Sequence, residues 1–261
     1  RVCFFCDRNQ GELICAECLA GNLSLKKKSI DYKILDEFFL EHEQVSHPQI
    51  FYLFNFFKQT SYLIKKAKYS RPYFAKFFAQ LLAQELTQNM NKVFSEDLGD
   101  SFLQDLVLAK EDLNIYIVAS PMFEEKKRER SFNFAELLAL KLSEDLLLLT
   151  KNKEIQISFQ STGGLKLHNL GKIEYVKDFF LRLKNTKALF NLGLDSRLIE
   201  VKNAFVINQN LKIPKDGLNI LLIIDDICTT GSTIMELMKL ARNQADFDDQ
   251  LGFTLYGRNL T

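Results

Sequence analysis

One segment of the sequence combines acidic, hydroxyl and glycine residues in an order that suits sugar-phosphate chemistry. Residues 221–233 read LLIIDDICTTGST. Four apolar residues predict a central strand, two acids follow at its carboxyl end, and a hydroxyl-rich turn with one glycine then opens a helix. Ligands of open α/β sheets bind beyond the carboxyl ends of the strands, so we expect a binding site at this turn.

The hydroxyl-rich turn is suited to a phosphate group. Backbone N–H groups at a helix start, together with the positive end of the helix dipole, attract an anion. Gly231 lets the backbone approach that anion closely. Hydroxyl donors for phosphate oxygens stand at Thr229, Thr230, Ser232 and Thr233. The alternative is a plain strand-to-helix turn with hydroxyl caps, but caps do not account for two adjacent acids followed by four hydroxyls.

The two adjacent acids, Asp225 and Asp226, need a partner other than the phosphate, because like charges repel. Carboxylates accept hydrogen bonds, so we expect the pair to hold the hydroxyl groups of a ribose. The same pair could help to hold a metal ion near those hydroxyls. The segment therefore predicts a sugar-phosphate site, with the acids on the sugar and the turn on the phosphate.

A second charged segment follows another predicted strand. Residues 115–119 form a short apolar run closed by Ser120 and Pro121, which is typical of a buried strand. The basic residues that come next are Lys126, Lys127, Arg128 and Arg130. The planar guanidinium group pairs well with phosphate oxygens, so Arg128 and Arg130 are candidates for holding a pyrophosphate. The alternatives are a solvated basic turn and a contact with a nucleic-acid backbone.

Four of the five cysteines stand in the first 18 residues, as the pairs Cys3–Cys6 and Cys15–Cys18. The two-residue gap within a pair lets both sulfurs turn onto one ion, so the four thiolates could close a tetrahedral, structural Zn²⁺ site. Metal binding would then supply much of the folding energy of so small a module. The alternatives are a dithiol redox pair and an iron–sulfur cluster. The fifth, Cys228, is predicted to be a small packing residue, with a reactive thiol as the alternative.

Residues 221–233 resemble the phosphoribosyl pyrophosphate (PRPP) motif of type I phosphoribosyltransferases. The run RERSFN at residues 128–133, after a strand and a proline-containing turn, resembles the RxRGFN run of the ComF/GntX group of phosphoribosyltransferase-like proteins. The N-terminal cysteine pairs fit the same pattern, as does Arg197 followed by Ala204 and Phe205.

The sequence departs from that pattern at three positions. Ser131 stands where the family usually has Gly, and Leu189 and Glu200 stand where Gln and Asn are expected. The middle segment is therefore a divergent match, whereas the acids and the hydroxyl turn show no departure.

The resemblance implies both a fold and a chemistry. The fold would be a type I phosphoribosyltransferase-like α/β domain, a parallel sheet with flanking helices, plus a small N-terminal zinc module. PRPP would bind with Mg²⁺, and Asp225 and Asp226 would be catalytic, orienting the ribose hydroxyls and favouring positive charge on the ring. Pyrophosphate, held by Arg128 and Arg130, would leave as a nitrogen acceptor attacks.

The ComF resemblance also implies a role in DNA uptake during natural transformation. The alternative is therefore a non-catalytic protein that binds PRPP or single-stranded DNA and acts with DNA-uptake proteins. A regulator that senses PRPP is a third interpretation, without a DNA-reading helix to support it.

Composition limits these interpretations. The chain has 261 residues, of which 47% are hydrophobic and 26% charged, which is ordinary globular usage and excludes a disordered chain. A net charge of +1 gives no global basic field, so nucleic-acid binding would need local patches such as residues 26–28. With few cysteines and no apolar run of about 18 residues, we expect a cytoplasmic protein without a membrane span. The chain begins at Arg1, which leaves open whether residues precede it.

Three zones follow from these patterns: a cysteine module at 1–28, a helical region at 29–112 and the α/β domain at 113–261. Predicted helices lie near 51–68, 73–90, 102–113, 133–149, 175–184 and 233–243. Predicted strands lie at 115–119, 204–207, 220–224 and 251–256, with a hairpin-like excursion at 151–172. Strand, helix and strand at this spacing predict parallel βαβ units.

Overall fold

The computed structural model describes the greater part of the α/β region and several pieces that precede it. The described residues are 3, 8, 14–24, 26–28, 49–55, 68, 73–96, 113–151, 157–161, 164–168, 170–185, 194–215, 217–245 and 247–257. They form a six-stranded, mostly parallel sheet flanked by helices. The α/β class predicted from the sequence is thereby confirmed.

Strands and helices are interspersed along the described chain. The strands are β1 (Lys26–Lys27), β2 (Gln49–Asn55), β3 (Leu113–Ala119), β4 (Ile157–Ser161), β5 (Gly164–His168), β6 (Leu170–Tyr175), β7 (Phe180–Arg182), β8 (Phe205–Ile207), β9 (Leu218–Cys228) and β10 (Asp249–Gly257). The helices are α1 (Ala16–Asn22), α2 (Tyr73–Glu96), α3 (Glu124–Arg130), α4 (Phe134–Lys151), α5 (Leu194–Val201) and α6 (Ser232–Gln244). The predicted elements that correspond to β3, β9, β10, α2, α4 and α6 are confirmed, at slightly different bounds.

β9 lies at the centre of the main sheet. The strand order is β1-β2-β10-β9-β3-β6, with β1 antiparallel to β2 and the other neighbours parallel. The connection from β9 to β10 moves one way along the sheet, and the connection from β3 to β6 moves the other way. The topology therefore switches direction between β3 and β9. Such a switch point opens a crevice beyond the carboxyl ends of the strands, where ligands of this architecture bind.

The central strands are apolar on both faces because helices cover both faces of the sheet. In β3, Ile115 and Ile117 belong to the core cluster that contains α2 and α4 side chains, whereas Tyr116 and Val118 belong to the cluster with α6. A strand covered on both sides reads as a continuous hydrophobic run, without alternation.

Two segments predicted to be helical are strands. The stretch Gln49–Asn55 forms β2 and pairs with β10, with residues 50–54 all buried. A short apolar run without alternation does not distinguish a buried strand from a helix, so the predicted helix is wrong there. Residues 175–184 end β6, turn at Asp178 with a φ of 54°, and then form β7. The predicted helix in that segment is also wrong.

Two antiparallel pairs lie outside the main sheet. β4 and β5 form the predicted hairpin, whereas the last residues of the predicted excursion belong to β6 in the main sheet. β8, predicted as a strand, pairs antiparallel with β7 rather than joining the parallel sheet. The helix predicted near 102–113 lies outside the described residues, apart from Leu113, which begins β3.

Candidate functional site

The acid pair lies at the switch point of the sheet. β3 and β9 stay paired up to Ala119 and Ile224, after which the Ser120 N–H donates to the Ile224 carbonyl at 2.8 Å. From there β9 continues alongside β10, while the chain that follows β3 turns away. Asp225 and Asp226 are thus the first residues of β9 past the end of β3, where the crevice opens.

The ionisation of Asp225 depends on its burial and on the charges around it. Burial and then the charge of Asp226 raise the pKa of Asp225 to about 7, against the opposing charges of Lys68 and Arg182. Asp226 is 9% exposed, and Lys68 Nζ lies 2.7 Å from its Oδ2. The backbone N–H of Asp226 donates to Asp225 Oδ1 at 2.8 Å and so orients the first carboxyl group. The pair presents acceptor oxygens in a poorly solvated place, where hydrogen bonds are strong.

The hydroxyl turn after β9 divides into an inner and an outer pair. Thr230 and Ser232 are buried, and their Oγ atoms lie 3.0 Å apart, so they bond to each other and shape the turn. Thr229 and Thr233 are partly exposed. The sequence predicts four equivalent donors, whereas the structure leaves the outer pair as the more accessible donors for a ligand.

Gly231 is required by its backbone conformation. It has a φ of 93°, in the left-handed region that glycine adopts without strain. A Cβ atom there would meet Ile50 Cδ1 at 3.4 Å, so space alone would admit a side chain. As the N-cap of α6, Gly231 has no side chain to cap the helix, and the Ser232 N–H makes a long 3.4 Å bond to Thr230 Oγ1. The start of α6 is therefore weakly capped, as an anion site requires.

A buried lysine lies near the turn, on the side of β1 and β2. Lys28 is 4% exposed, and burial lowers its pKa, whereas the nearby Cys228 opposes this effect. Burial in turn raises the pKa of the Cys228 thiol to about 12, against the charge of Lys28. Cys228 is therefore a neutral thiol at physiological pH, which agrees with the packing role predicted for it.

The lysines at 26–28, considered for contact with nucleic acid, differ in their exposure. Lys26 Nζ donates to the Leu53 carbonyl at 3.1 Å and lies 5.9 Å from the centre of the Tyr52 ring. Lys28 is buried, so Lys27 is the exposed member of the run. Of this run, Lys27 is therefore the residue most accessible to a phosphate backbone, and the role considered for the run stays a prediction.

The basic residues after β3 lie on a helix rather than in a turn. The sequence of α3 is EEKKRER, so its three Glu residues offset most of the charge of two Lys and two Arg. Lys127 Nζ lies 2.9 Å from Glu136 Oε1, while Arg128 is exposed and Arg130 is partly buried. Among the described residues, the cations that act on Asp225 are Lys68 and Arg182, not these arginines.

The connection from α3 to α4 is closed by its own side chains. Ser131 ends α3 with a φ of 67°, so it adopts a backbone conformation that a glycine would adopt more easily. The Oδ1 of Asn133 accepts from the Ala135 N–H at 3.1 Å, and its Nδ2 donates to the Ser120 carbonyl at 3.0 Å. Asn133 therefore caps α4 and ties it to the end of β3.

A cavity of about 270 Å³ opens beside the switch point. It lies between the end of β3, the end of β6 and strand β7. Its apolar lining includes Met122 and Phe180, and its polar lining includes Tyr175, Glu136 and Arg182. Burial, and then the charges of Glu136 and Asp178, raise the pKa of Tyr175, so its hydroxyl stays a neutral donor. The cavity can hold a small ligand with both apolar and hydrogen-bonding parts.

Two cations of the site are not evident from the sequence. Arg182 lies 5.3 Å from the centre of the Phe205 ring, on the strand that the sequence predicts to be helical. Lys68 reaches Asp226 from far away along the chain, and no local pattern marks it. Tertiary structure brings both cations to the acids, so the sequence does not predict them as site residues. The imperfect family resemblance around Arg182 is the signal that could have pointed to that residue.

Three of the four predicted metal ligands lie together. The Sγ atoms of Cys3, Cys15 and Cys18 are all within 4.8 Å of one another, and Cys6 lies outside the described residues. The Cys15 N–H donates to Cys3 Sγ at 3.3 Å. Three thiols this close, one of them in the first turn of α1, fit a metal that binds sulfur. Cys3 and Cys15 also belong to the core cluster that covers one face of the sheet.

No protein-family model matches the chain, and no curated protein matches it. Within the described residues, no helix has the length and apolar character needed to cross a membrane.

Proposed function

We propose that the chain binds PRPP and is a phosphoribosyltransferase-like protein of the ComF/GntX type. The observation that carries the proposal is the acid pair, Asp225 and Asp226, beside a weakly capped helix start at the switch point. Such a site offers acceptors for sugar hydroxyls and N–H donors for a phosphate. A phosphorylated ribose needs both, and PRPP is a phosphorylated ribose.

In this proposal each part of the ligand has its own partners. The acid pair accepts hydrogen bonds from the ribose hydroxyls, and the start of α6 holds the 5-phosphate with Thr229 and Thr233. Mg²⁺ enters with the pyrophosphate, whose charge it would neutralise. Asp226 already has Lys68 on its Oδ2, so the acid pair does not fit a resident divalent ion of its own.

The cavity beside β7 suits the second substrate of a transfer reaction. It shares Arg182 with the site, and the Arg182 charge acts on Asp225, so a ligand in the cavity lies near the sugar. In the transfer, an acceptor nitrogen forms a bond to the anomeric carbon of PRPP, and the bond to pyrophosphate breaks. Release of pyrophosphate across a panel of nitrogen acceptors tests for this activity.

Calorimetry with PRPP and Mg²⁺ tests the binding site directly. Asp225→Ala with Asp226→Ala removes hydrogen bonds to charged acceptors worth about 1.5–3 kcal/mol each, so we expect affinity to fall about 100-fold or more. The matched control is Glu144→Ala with Asp145→Ala, which also removes two adjacent acids. This pair lies on α4, about 15 Å along the helix from Phe134, where the helix begins. Equal PRPP affinity in the wild type and the Asp225/Asp226 variant would defeat the proposal.

We also propose that Cys3, Cys6, Cys15 and Cys18 hold one structural Zn²⁺. The three close sulfurs support it, since Zn–S bonds of about 2.3 Å put tetrahedral ligands about 4 Å apart. Elemental analysis of protein purified without added metal is expected to give one zinc per chain, lost in Cys15→Ser and kept in Cys228→Ser. Protein that carries iron, or no metal, would contradict this. Thiolate ligation also suits a reducing, cytoplasmic compartment.

The second candidate is binding of single-stranded DNA in DNA uptake, without turnover of PRPP. The observation that favours it is the exposed Arg128 on α3, close to the same sheet edge. The small net charge of α3 and the inward-facing Lys26 and Lys28 argue for the first candidate instead.

A further inference from the structure

Lys68 brings an ammonium group directly onto the acid pair. Its Nζ lies 2.7 Å from Asp226 Oδ2, and the two side chains are 18% and 12% exposed. Its charge also acts on Asp225. The contact therefore belongs to the interior of the site and not to the protein surface, where such pairs are common and weak.

A sugar hydroxyl in this site needs two kinds of partner. It donates one hydrogen bond and can accept two. Asp225 and Asp226 offer only acceptors when ionised, so by themselves they leave the lone pairs of a bound hydroxyl without donors in a poorly solvated place. The ammonium group of Lys68 carries three donors, one of which meets Asp226. Another can donate to a hydroxyl held on the same carboxylate.

The charge of the acid pair leads to the same conclusion. Any negative charge that the acid pair carries while it holds a neutral sugar needs a counter-charge, which a divalent cation could supply. Here Lys68 supplies it at Asp226, and Arg182 contributes at Asp225. A divalent ion on Asp226 would have to displace Lys68 or approach it against Coulomb repulsion.

We propose that Lys68 is a sugar-binding residue that donates to the ribose hydroxyls and balances the acid pair, so that these hydroxyls bind without a divalent cation. The inference rests on the proposed function. It confines any Mg²⁺ dependence to the pyrophosphate of PRPP. A ribose phosphate without pyrophosphate is therefore bound equally well in the presence and absence of Mg²⁺.

Calorimetry with ribose 5-phosphate, in Mg²⁺ and in excess EDTA, tests this inference. The wild type is expected to have the same affinity in both buffers. Lys68→Met is expected to bind about 10-fold or more weakly in EDTA, since a charged donor is lost, and Mg²⁺ is expected to restore part of the affinity. Lys68→Arg keeps the charge and donors and is expected to retain most of the binding. The control is Lys76→Met, an exposed lysine on α2.

The outcomes separate this inference from the proposed function. If PRPP binds but the wild type binds ribose 5-phosphate only with Mg²⁺, or not at all, the role of Lys68 is overturned and the proposed function stands. If Lys68→Met binds ribose 5-phosphate in EDTA as tightly as the wild type, Lys68 does not contribute to binding; if it binds more tightly, Lys68 occludes the site. In both cases the inference fails. If neither ligand binds, the proposed function itself fails. Thermal melting of each variant shows whether Lys68→Met is folded.

Discussion

The connections that follow β3 and β9 leave adjacent parallel strands at the same sheet edge, yet they differ in how far their polar groups are hydrogen-bonded. After β3 the chain closes on itself, because the Asn133 side chain caps α4 and bonds the carbonyl of Ser120. In β9 and the turn after it the polar groups are less satisfied, because the N-cap of α6 is Gly231 and two acids lie in β9 beyond the end of β3. Topology thus creates two equivalent positions, and the side chains decide how far the polar groups of each position are satisfied.

The free energy of unfolding of the protein is expected to depend on the charge of the buried Asp225 in β9. The pKa of Asp225 is about 7, above the ordinary value of 3.8, so the folded protein favours the protonated form. Below pH 4 the folded protein pays no penalty for the charge of Asp225, because the carboxyl group is protonated in the folded and unfolded states. The free energy of unfolding then decreases as the pH rises to 7. Asp225→Asn removes the charge, so we expect it to raise the free energy of unfolding above pH 7, by up to about 4 kcal/mol, and to change it little near pH 4.

Urea unfolding of the wild type and Asp225→Asn across this pH range measures the effect. Glu129→Gln, on exposed α3, is the control for the loss of one carboxylate. A constant difference between wild type and Asp225→Asn from pH 4 to pH 8 would show that Asp225 is ionised throughout. The contrast between the two connections would then not arise from buried charge.

The Asn133 cap in the β3 connection is expected to affect stability alone. Asn133→Ala removes the cap of α4 and leaves the Ser120 carbonyl without this donor, so we expect a loss of about 2–3 kcal/mol in the free energy of unfolding. Because Asn133 is committed to the fold, PRPP affinity of the folded variant is expected to stay unchanged. A variant that melts like the wild type but loses PRPP would make Asn133 part of the binding site and erase the contrast.

The β9 connection is expected to give the reverse result. Thr233 is partly exposed at the start of α6, so Thr233→Ala removes a donor available to the phosphate. We expect PRPP affinity to fall about fivefold and the free energy of unfolding to change by less than about 0.5 kcal/mol. Calorimetry and urea unfolding on the same preparation measure both. Thr150→Ala at the end of α4 is the control for loss of a threonine hydroxyl, and a similar fall in its affinity would deny Thr233 a specific role.

The sequence predicts the β9 connection well because its signal is local. The strand, the two acids, the glycine turn and the helix are each marked by their own residue types between residues 221 and 244, although the strand continues through the acids to Cys228. The same reasoning fails for β2, whose residues Ile50–Phe54 are apolar or aromatic on both faces and show no period. Strand pairing with β10, a long-range contact, decides its conformation.

The site is less predictable than the motif because half of its charges come from distant segments. Lys68 and Arg182 reach the acid pair through tertiary packing, and no spacing in the sequence relates them to Asp225. The turn before β7 places Asp178 in a left-handed conformation. Asp tolerates this conformation, but the presence of an Asp in the sequence does not predict it. Arg128 and Arg130, in contrast, are conspicuous in the sequence yet lie on a helix whose own Glu residues offset them.

The smallest expected effect concerns those two arginines. Replacing Arg128 and Arg130 with Gln removes two cations from a solvated helix. At about 0.3 kcal/mol for each exposed charge pair, we expect PRPP affinity to fall about threefold. Affinity for a short single strand of DNA is expected to stay the same.

If α3 instead binds nucleic acid, the double variant weakens DNA binding uniformly across sequences and reduces the log–log salt slope by about 0.7 for each phosphate that the helix no longer neutralises. Glu129→Gln raises the charge of the same helix and is expected to shift DNA affinity in the opposite direction only in that second case. Titrations with both ligands at several salt concentrations therefore decide whether the β3 connection serves the ribose-phosphate site or a separate nucleic-acid surface.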